Sequence, residues 1–231
     1  YVEATKAIFR AFAGEEKLKY EGEYYNFSLL PSMWSPGPIE YDAPPIYISA
    51  VRPYMSRLVG ECCDGIHVHP FHSPEYVKEV QRTAIEDGLA RSGRTIEEIT
   101  FAVPVMTAVG DSDEEISKTR EHARTMIAFY GSTPGYEAMF DHHGYTGMGA
   151  ELNALQKRGD IPGMQSLITD EVMSHYAVES NWNDLGSKLV ERYRDLAPNV
   201  RVISYTAADH WSDPAMREKW SQVTKTMRDA G

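Results

Sequence analysis

The residues best equipped for chemistry fall in one stretch of the chain. The short apolar run Ile46-Tyr-Ile-Ser-Ala50 is followed by Val51, Arg52 and Pro53, then Met55. Small residues such as Ser49 and Ala50 at the C-terminal end of a strand let backbone amides come close to an anion. A helix starting just beyond adds oriented N–H groups and the positive end of its dipole, and Arg52 adds a charged fork able to hold two oxygens at once. The plainer alternative is an ordinary strand-to-helix loop with Arg52 solvated on its rim. Further on, Asp64-Gly65 reads as a tight turn before Ile66-His-Val-His69. His67 and His69, two apart on a strand, share a face, and the C-terminal end of such a strand can touch substrate or cofactor.

Other polar clusters carry less. His72 lies close to His67 and His69, but no acid or cysteine accompanies them at ligand-like spacing, so pocket or surface histidines are expected rather than a metal site. His142-His143 sits in a Gly-rich stretch and is expected in solvent. Glu97-Glu98 and Glu114-Glu115 fall at helix starts, where negative side chains complement the dipole, and are assigned no catalysis. Trp34, Tyr24 and Tyr25 could wall a pocket or pack beneath their own segment.

These residues need elements to hold them. Val2, Ile8, Phe9 and Phe12 predict an opening helix of about three turns that stops at Gly14. Lys19 to Tyr25 reads as an extended excursion, broken afterwards by Pro31, Pro36, Gly37 and Pro38. Ile46 to Ala50 reads as a buried parallel strand, Pro53 opens a helix through Cys62, and Ile66 to His69 is the next strand, a compact βαβ unit. A longer helix should follow Ser73-Pro74, with a short turn at Thr95 to Ile99. Phe101 to Val109 reads as a strand in which Pro104 predicts a bulge or an edge. A charged helix then runs from Asp113 to about Tyr130. Residues 131–170 are predicted to be small helices separated by turns, an insertion within a single domain spanning 1–231. Asn183-Asp184 should cap a helix to about Leu196, Val200 to Tyr205 should form a last strand, and Pro214 should start a final helix. The count is about four strands with intervening helices, half of an eight-stranded barrel.

Composition narrows the classes. A net charge of -11 disfavours a protein that holds nucleic acid by neutralising its phosphates, which needs a basic face. No run of about 18 apolar residues offers a membrane span. The adjacent Cys62 and Cys63 are poorly placed for an unstrained disulfide and fit a reducing cytoplasm, the expected location.

The segment Ala43-Pro-Pro-Ile-Tyr-Ile-Ser-Ala-Val-Arg-Pro through Cys62-Cys-Asp-Gly65, together with Tyr20-Glu-Gly-Glu-Tyr-Tyr-Asn-Phe27, resembles the luciferase-like monooxygenase family, particularly its members dependent on the deazaflavin coenzyme F420. One departure is Val51, where many members carry Gly. The resemblance implies an α/β fold, the C-terminal part of a (β/α)8 TIM barrel lacking roughly its first half. It implies hydride transfer between F420 and a small organic substrate, in a cytoplasmic enzyme that is a homodimer at full length. Cofactor contacts are then expected at Ser49, Ala50, Val51, Arg52, Met55, Gly65 and Ile66, and substrate contacts at His67 and His69. The family's acid or base groups come largely from the first strands, so no catalytic residue is named. FMN in a monooxygenase is the alternative cofactor, since both bring a phosphate to the same loop. A non-catalytic fragment or interaction module is the alternative from another class.

Overall fold

The computed structural model describes residues 1–35, 37–38, 41–205 and 212–230. The opening helix, α1 (Val2–Ala13), ends as expected at Gly14, which takes φ 78° and closes the last turn by donating to the Ala11 and Arg10 carbonyls. Its buried stripe is Val2, Ala4, Ala7 and Ala11 rather than the phenylalanines. The excursion is a small antiparallel hairpin, β1 (Tyr20–Glu21) with β2 (Asn26–Phe27).

The functional part is built on a five-stranded sheet. Parallel strands β3 (Tyr47–Ala50), β4 (Gly65–Val68) and β5 (Thr100–Gly110) lie side by side, joined by α2 (Pro53–Cys62) and by a long helix made of α3 (Pro74–Tyr76), a π-helical turn (Val77–Arg82) and α4 (Thr83–Ser92). Past β5 come α5 (Asp113–Gly131), α6 (Glu137–His142), α7 (Met148–Lys157), α8 (Ile161–Leu167) and α9 (Asp170–Tyr176). The chain continues through β6 (Ala177–Asn181), α10 (Trp182–Tyr193), β7 (Asn199–Tyr205) and α11 (Pro214–Ala230). Among the described residues, no helix is long and apolar enough to cross a membrane.

The pairing around β5 explains Pro104. Met106 lies opposite both Ala177 and Tyr205, so β6 and β7 flank opposite edges of β5; Thr100 lies between Gly65 and Asn199, so β4 and β7 do too. β4 and β6 therefore share one edge, β4 taking residues 100–102 and β6 taking 106–110. Pro104 falls in the gap between them, where no N–H is required. On the other edge its register with Ile203 is unbroken, so the expected bulge does not form. The four staves β3, β4, β5 and β7 stand in chain order, each joined to the next through helix.

Alternation gives the sheet two different faces. Ile66, Val68, Phe101, Val103 and Val105 bury themselves against Val59, Ile85, Leu89, Leu185, Leu189 and Val223 of α2, α4, α10 and α11. The opposite face carries Tyr47, Ser49, His67, Ala102, Pro104, Arg201 and Ile203, and Ile203 is 41% exposed. Consequently β3 is not the fully buried strand expected: it is the outer strand of the described sheet, and Ser49 is exposed on the open face. Helices α2 and α4 touch backbone to backbone, since a Cβ on Gly60 would lie 2.1 Å from the Ile85 carbonyl and one on Gly88 2.1 Å from the Arg57 carbonyl.

Residues 131–170 form small helices and turns as expected. They enclose a second core in which Met139, Phe140, Leu152 and Met164 pack with Ile127, Phe71 and Tyr176. One local expectation fails and one strand was not expected. Asn181, not Asn183, caps α10, its Oδ1 accepting the Asp184 N–H at 2.9 Å. The five-residue β6 carries too short a pattern to stand out from the cap that ends it.

Candidate functional site

A cleft of about 520 Å³ opens at the C-terminal ends of β3 and β4 and is lined by Ser49, Ala50, Val51, Arg52, Met55, His67, His69, Pro104, Gly135 and Tyr136. One side is the loop after β3. Arg52 stands at the N-cap of α2 with extended backbone, Pro53 occupies the first helical position, and no side chain caps the helix. No acceptor for the N–H groups of Tyr54 and Met55 occurs among the described residues, so the first turn presents bare donors at the cleft. The loop is fixed from beneath. Gln81 Nε2 donates to the Ala50 carbonyl at 2.8 Å, and the Tyr76 hydroxyl donates to the Val51 carbonyl at 3.2 Å. The Arg52 side chain lies over the rim, its Nε donating to the Gly135 carbonyl at 3.3 Å.

The other side is aromatic. The His69 ring is packed edge-on against Tyr130 (4.8 Å between centroids) and tilted against Tyr136 (4.2 Å). Its Nδ1 accepts the Phe71 N–H at 3.1 Å, which leaves the proton on Nε2, and burial holds its pKa below the ordinary value. The ring is thus a neutral donor. Tyr130 and Tyr205 share a hydroxyl-to-hydroxyl hydrogen bond; burial first, then that bond, pushes the Tyr130 phenol up to about 12. His67 projects from the open face beside Tyr47, in the rung Ser49, His67, Ala102, Arg201 across β3, β4, β5 and β7. Arg201 thus shares the open face with His67 across the small Ala102.

Of the nine residues expected to form the site, the structure brings seven to this cleft and leaves two out. Ile66 is completely buried on the helix-covered face. Gly65 is buried between the Tyr47 ring and the Thr100 carbonyl, 2.8 and 2.6 Å from where a Cβ would sit, so its smallness serves sheet packing. Asp64 is likewise structural, its Oδ2 accepting the Ile46 N–H at 2.7 Å. The pattern His67, His69, His72 does not converge: His72 turns into the core, donating from Nδ1 to the His69 carbonyl at 2.8 Å and facing the Tyr193 hydroxyl at 3.2 Å.

His142 and His143 are not solvated. His143 Nε2 meets Ser73 Oγ at 2.7 Å and its ring stacks on His175 at 3.9 Å, while His142 faces Glu79 at 3.5 Å, because α6 folds back onto the segment after β4. Trp34 and Tyr24 neither wall a pocket nor pack beneath their segment; they are 73% and 81% exposed. Glu98 and Glu115 serve the helix starts, accepting the Thr95 and Asp111 N–H groups at 2.8 and 2.7 Å. Sequence reasoning missed Tyr130, Tyr136, Tyr205 and Arg201. Only Arg201 left a signal, as a charge alternating with Val200 and Val202 on a strand. A broader cleft of about 660 Å³ is lined by charged residues, of which Arg120 and Glu179 pair with each other and Asp170 pairs with Arg124.

A phosphate suits the first cleft: bare helix donors, an outward guanidinium and no carboxylate among its lining residues. Its volume falls within the range of about 300–1,000 Å³ usual for cofactor and small-molecule sites. The aromatic side and Met55, 39% exposed, suit a flat ring.

Comparison with known proteins gives the family and the fold. The model of the luciferase-like monooxygenase family matches residues 1–199. An uncharacterized protein of Mycobacterium tuberculosis is 34% identical over 218 residues, covering 94% of this chain and 64% of its own length. The 5,10-methylenetetrahydromethanopterin reductase of Methanolobus tindarius is 24% identical over 188 residues, covering 80% of this chain and 54% of its own. Among solved structures, the coenzyme F420 dependent tetrahydromethanopterin reductase from Methanopyrus kandleri superposes with a TM-score of 0.68 at 19% identity, over 88% of this chain and 56% of that one. The chain therefore spans little more than half to two thirds of the length of these relatives.

Proposed function

The chain belongs to the luciferase-like monooxygenase family, and from that premise we propose that it is the cofactor-anchoring part of an oxidoreductase that transfers hydride between coenzyme F420 and a small organic substrate. Its fold is that of the luciferase-like TIM-barrel enzymes, covered in part, and it is related to F420-dependent oxidoreductases. The observation that carries the proposal is the bare N-terminus of α2 beside Arg52, at a cleft whose far side is aromatic.

In this reading the loop from Ser49 to Arg52 and the first-turn amides hold the cofactor phosphate, and Met55 lies against its tail. When bound, F420 supplies the hydride-exchanging centre. His67 and His69 face the substrate, with His69 kept neutral by burial so that its Nε2–H donates without carrying charge. Arg201, on the face shared with His67, favours a substrate bearing an acidic group. Residues 131–170, an insertion within the barrel, bring Gly135 and Tyr136 over the cleft, where they exclude water and set substrate preference.

The test is titration of the protein, expressed from its complete coding sequence, with F420 and FMN in oxidised and reduced forms. F420 should bind the more tightly. Tight FMN binding with none of F420 would replace this reading by a flavin-dependent monooxygenase.

A further inference from the structure

Two buried side chains from outside the cleft act on the backbone that faces it. Gln81, 1% exposed, donates from Nε2 to the Ala50 carbonyl at 2.8 Å and to the Val51 carbonyl at 3.4 Å; Tyr76, 3% exposed, donates to the same Val51 carbonyl at 3.2 Å. Both belong to the long helix after β4, one strand away from the loop they hold. A trans peptide directs its C=O and N–H to opposite sides. Drawing the Val51 carbonyl inward therefore turns the Arg52 N–H outward, and no acceptor for that N–H occurs among the described residues.

The helix is deformed where this happens. In an α-helix, residues five apart sit about 140° apart around the axis. The π-helical turn Val77–Arg82 closes i to i+5 and brings Tyr76 and Gln81 toward one side, so that both reach the loop. The arrangement also leaves Gln81 Oε1 buried with no partner among the described residues. A buried acceptor left unpaired destabilises the fold, a cost set against the two carbonyls that Gln81 Nε2 pairs.

We infer that Gln81 and Tyr76 are positioning residues of the phosphate grip: through the carbonyls of Ala50 and Val51 they aim the Arg52 amide at the anion. This rests on the reading that the loop holds a cofactor phosphate. Neither residue lines the cleft, so neither touches the cofactor.

The experiment compares dissociation constants for F420 and its phosphate-free deazaflavin, and for FMN and riboflavin, in the wild type, Gln81→Leu and Tyr76→Phe, with a thermal midpoint for each. The wild type should prefer the phosphorylated member of the pair it binds. Each folded variant should lose that preference by about five- to tenfold while its affinity for the phosphate-free member changes less than about twofold. A purely structural role would weaken both members alike. Tyr76→Phe keeps the ring and decides the matter if Gln81→Leu does not fold. An undiminished preference in Tyr76→Phe overturns the inference and leaves the phosphate reading standing; no preference in the wild type overturns both.

Discussion

Replacing Arg52 by Met removes the guanidinium at the rim of the proposed phosphate loop while keeping its aliphatic stem, and the structure sets the size of the effect. A charge-assisted hydrogen bond contributes about 1.5–3 kcal/mol, and solvent screening of this exposed guanidinium places it at the lower end. The Arg52 Nε is engaged by the Gly135 carbonyl at 3.3 Å, which leaves the terminal nitrogens for a phosphate and lowers the gain by about 0.5 kcal/mol. The net loss is then about 1 kcal/mol, or about fivefold in affinity. Calorimetric titration with F420 and with its phosphate-free deazaflavin measures it, the loss falling only on the phosphorylated ligand and shrinking as salt rises. Arg52→Lys, which keeps charge but not the fork, should fall between. Equal losses for both ligands would mean that Arg52 acts through the Gly135 strap, and no loss would remove it from the grip; either result refutes the reasoning.

Three further outcomes follow from the same structure. Gly88→Ala would gain about 1 kcal/mol in an exposed helix, but here its Cβ meets the Arg57 carbonyl at 2.1 Å, and overpacking of about 1–3 kcal/mol should lower the thermal midpoint; a higher midpoint would show that α2 and α4 do not touch as described. His72 is held neutral by burial, its pKa pushed down to about 4 from an unfolded value of about 6.5. The stability it contributes is therefore complete above about pH 6.5 and is lost as pH falls toward about 4. In urea titrations His72→Gln should flatten that slope in part, because His143, also near 4, remains; an unchanged slope would exclude His72 as a source. Tyr136→Ala strips one ring from His69, an aromatic contact of about 0.5–1.5 kcal/mol, and should lower the thermal midpoint by about 1–6 °C while raising the substrate KM, since Tyr136 lines the cleft. An unchanged KM would remove the insertion from substrate recognition. Deleting the insertion is the poorer test, because Phe140 and Leu152 anchor the second core.

Much of the site's frame was legible because it is local. The β-branched and aromatic run before Ala50, Pro53 at a helix start and Asp64-Gly65 before a strand each act within a few residues. Strand, loop, helix and strand stand where these signals place them. The capping box of Thr95 and Glu98 is equally local. Ile66 and Gly65 show where this stops: position along the chain put them beside the loop, but strand alternation sends Ile66 to the face covered by α2, α4 and α10, which is settled only once those helices pack.

The sequence by itself determined most of the elements, β6 excepted, the loop after β3 and the face shared by His67 and His69, since propensity, capping and alternation depend on near neighbours. Tertiary structure alone decided what closes the cleft and what holds the loop after β3. Gly135 is 83 residues from the Arg52 it holds, Tyr136 comes from a segment without a strong pattern, and Tyr205 reaches Tyr130 from the last strand. Pro104 is the clearest case: its ring rules out an N–H in any sheet, but only the gap between β4 and β6 makes that harmless. Contacts between residues distant in the chain depend on how faces pack, which no short window of sequence encodes.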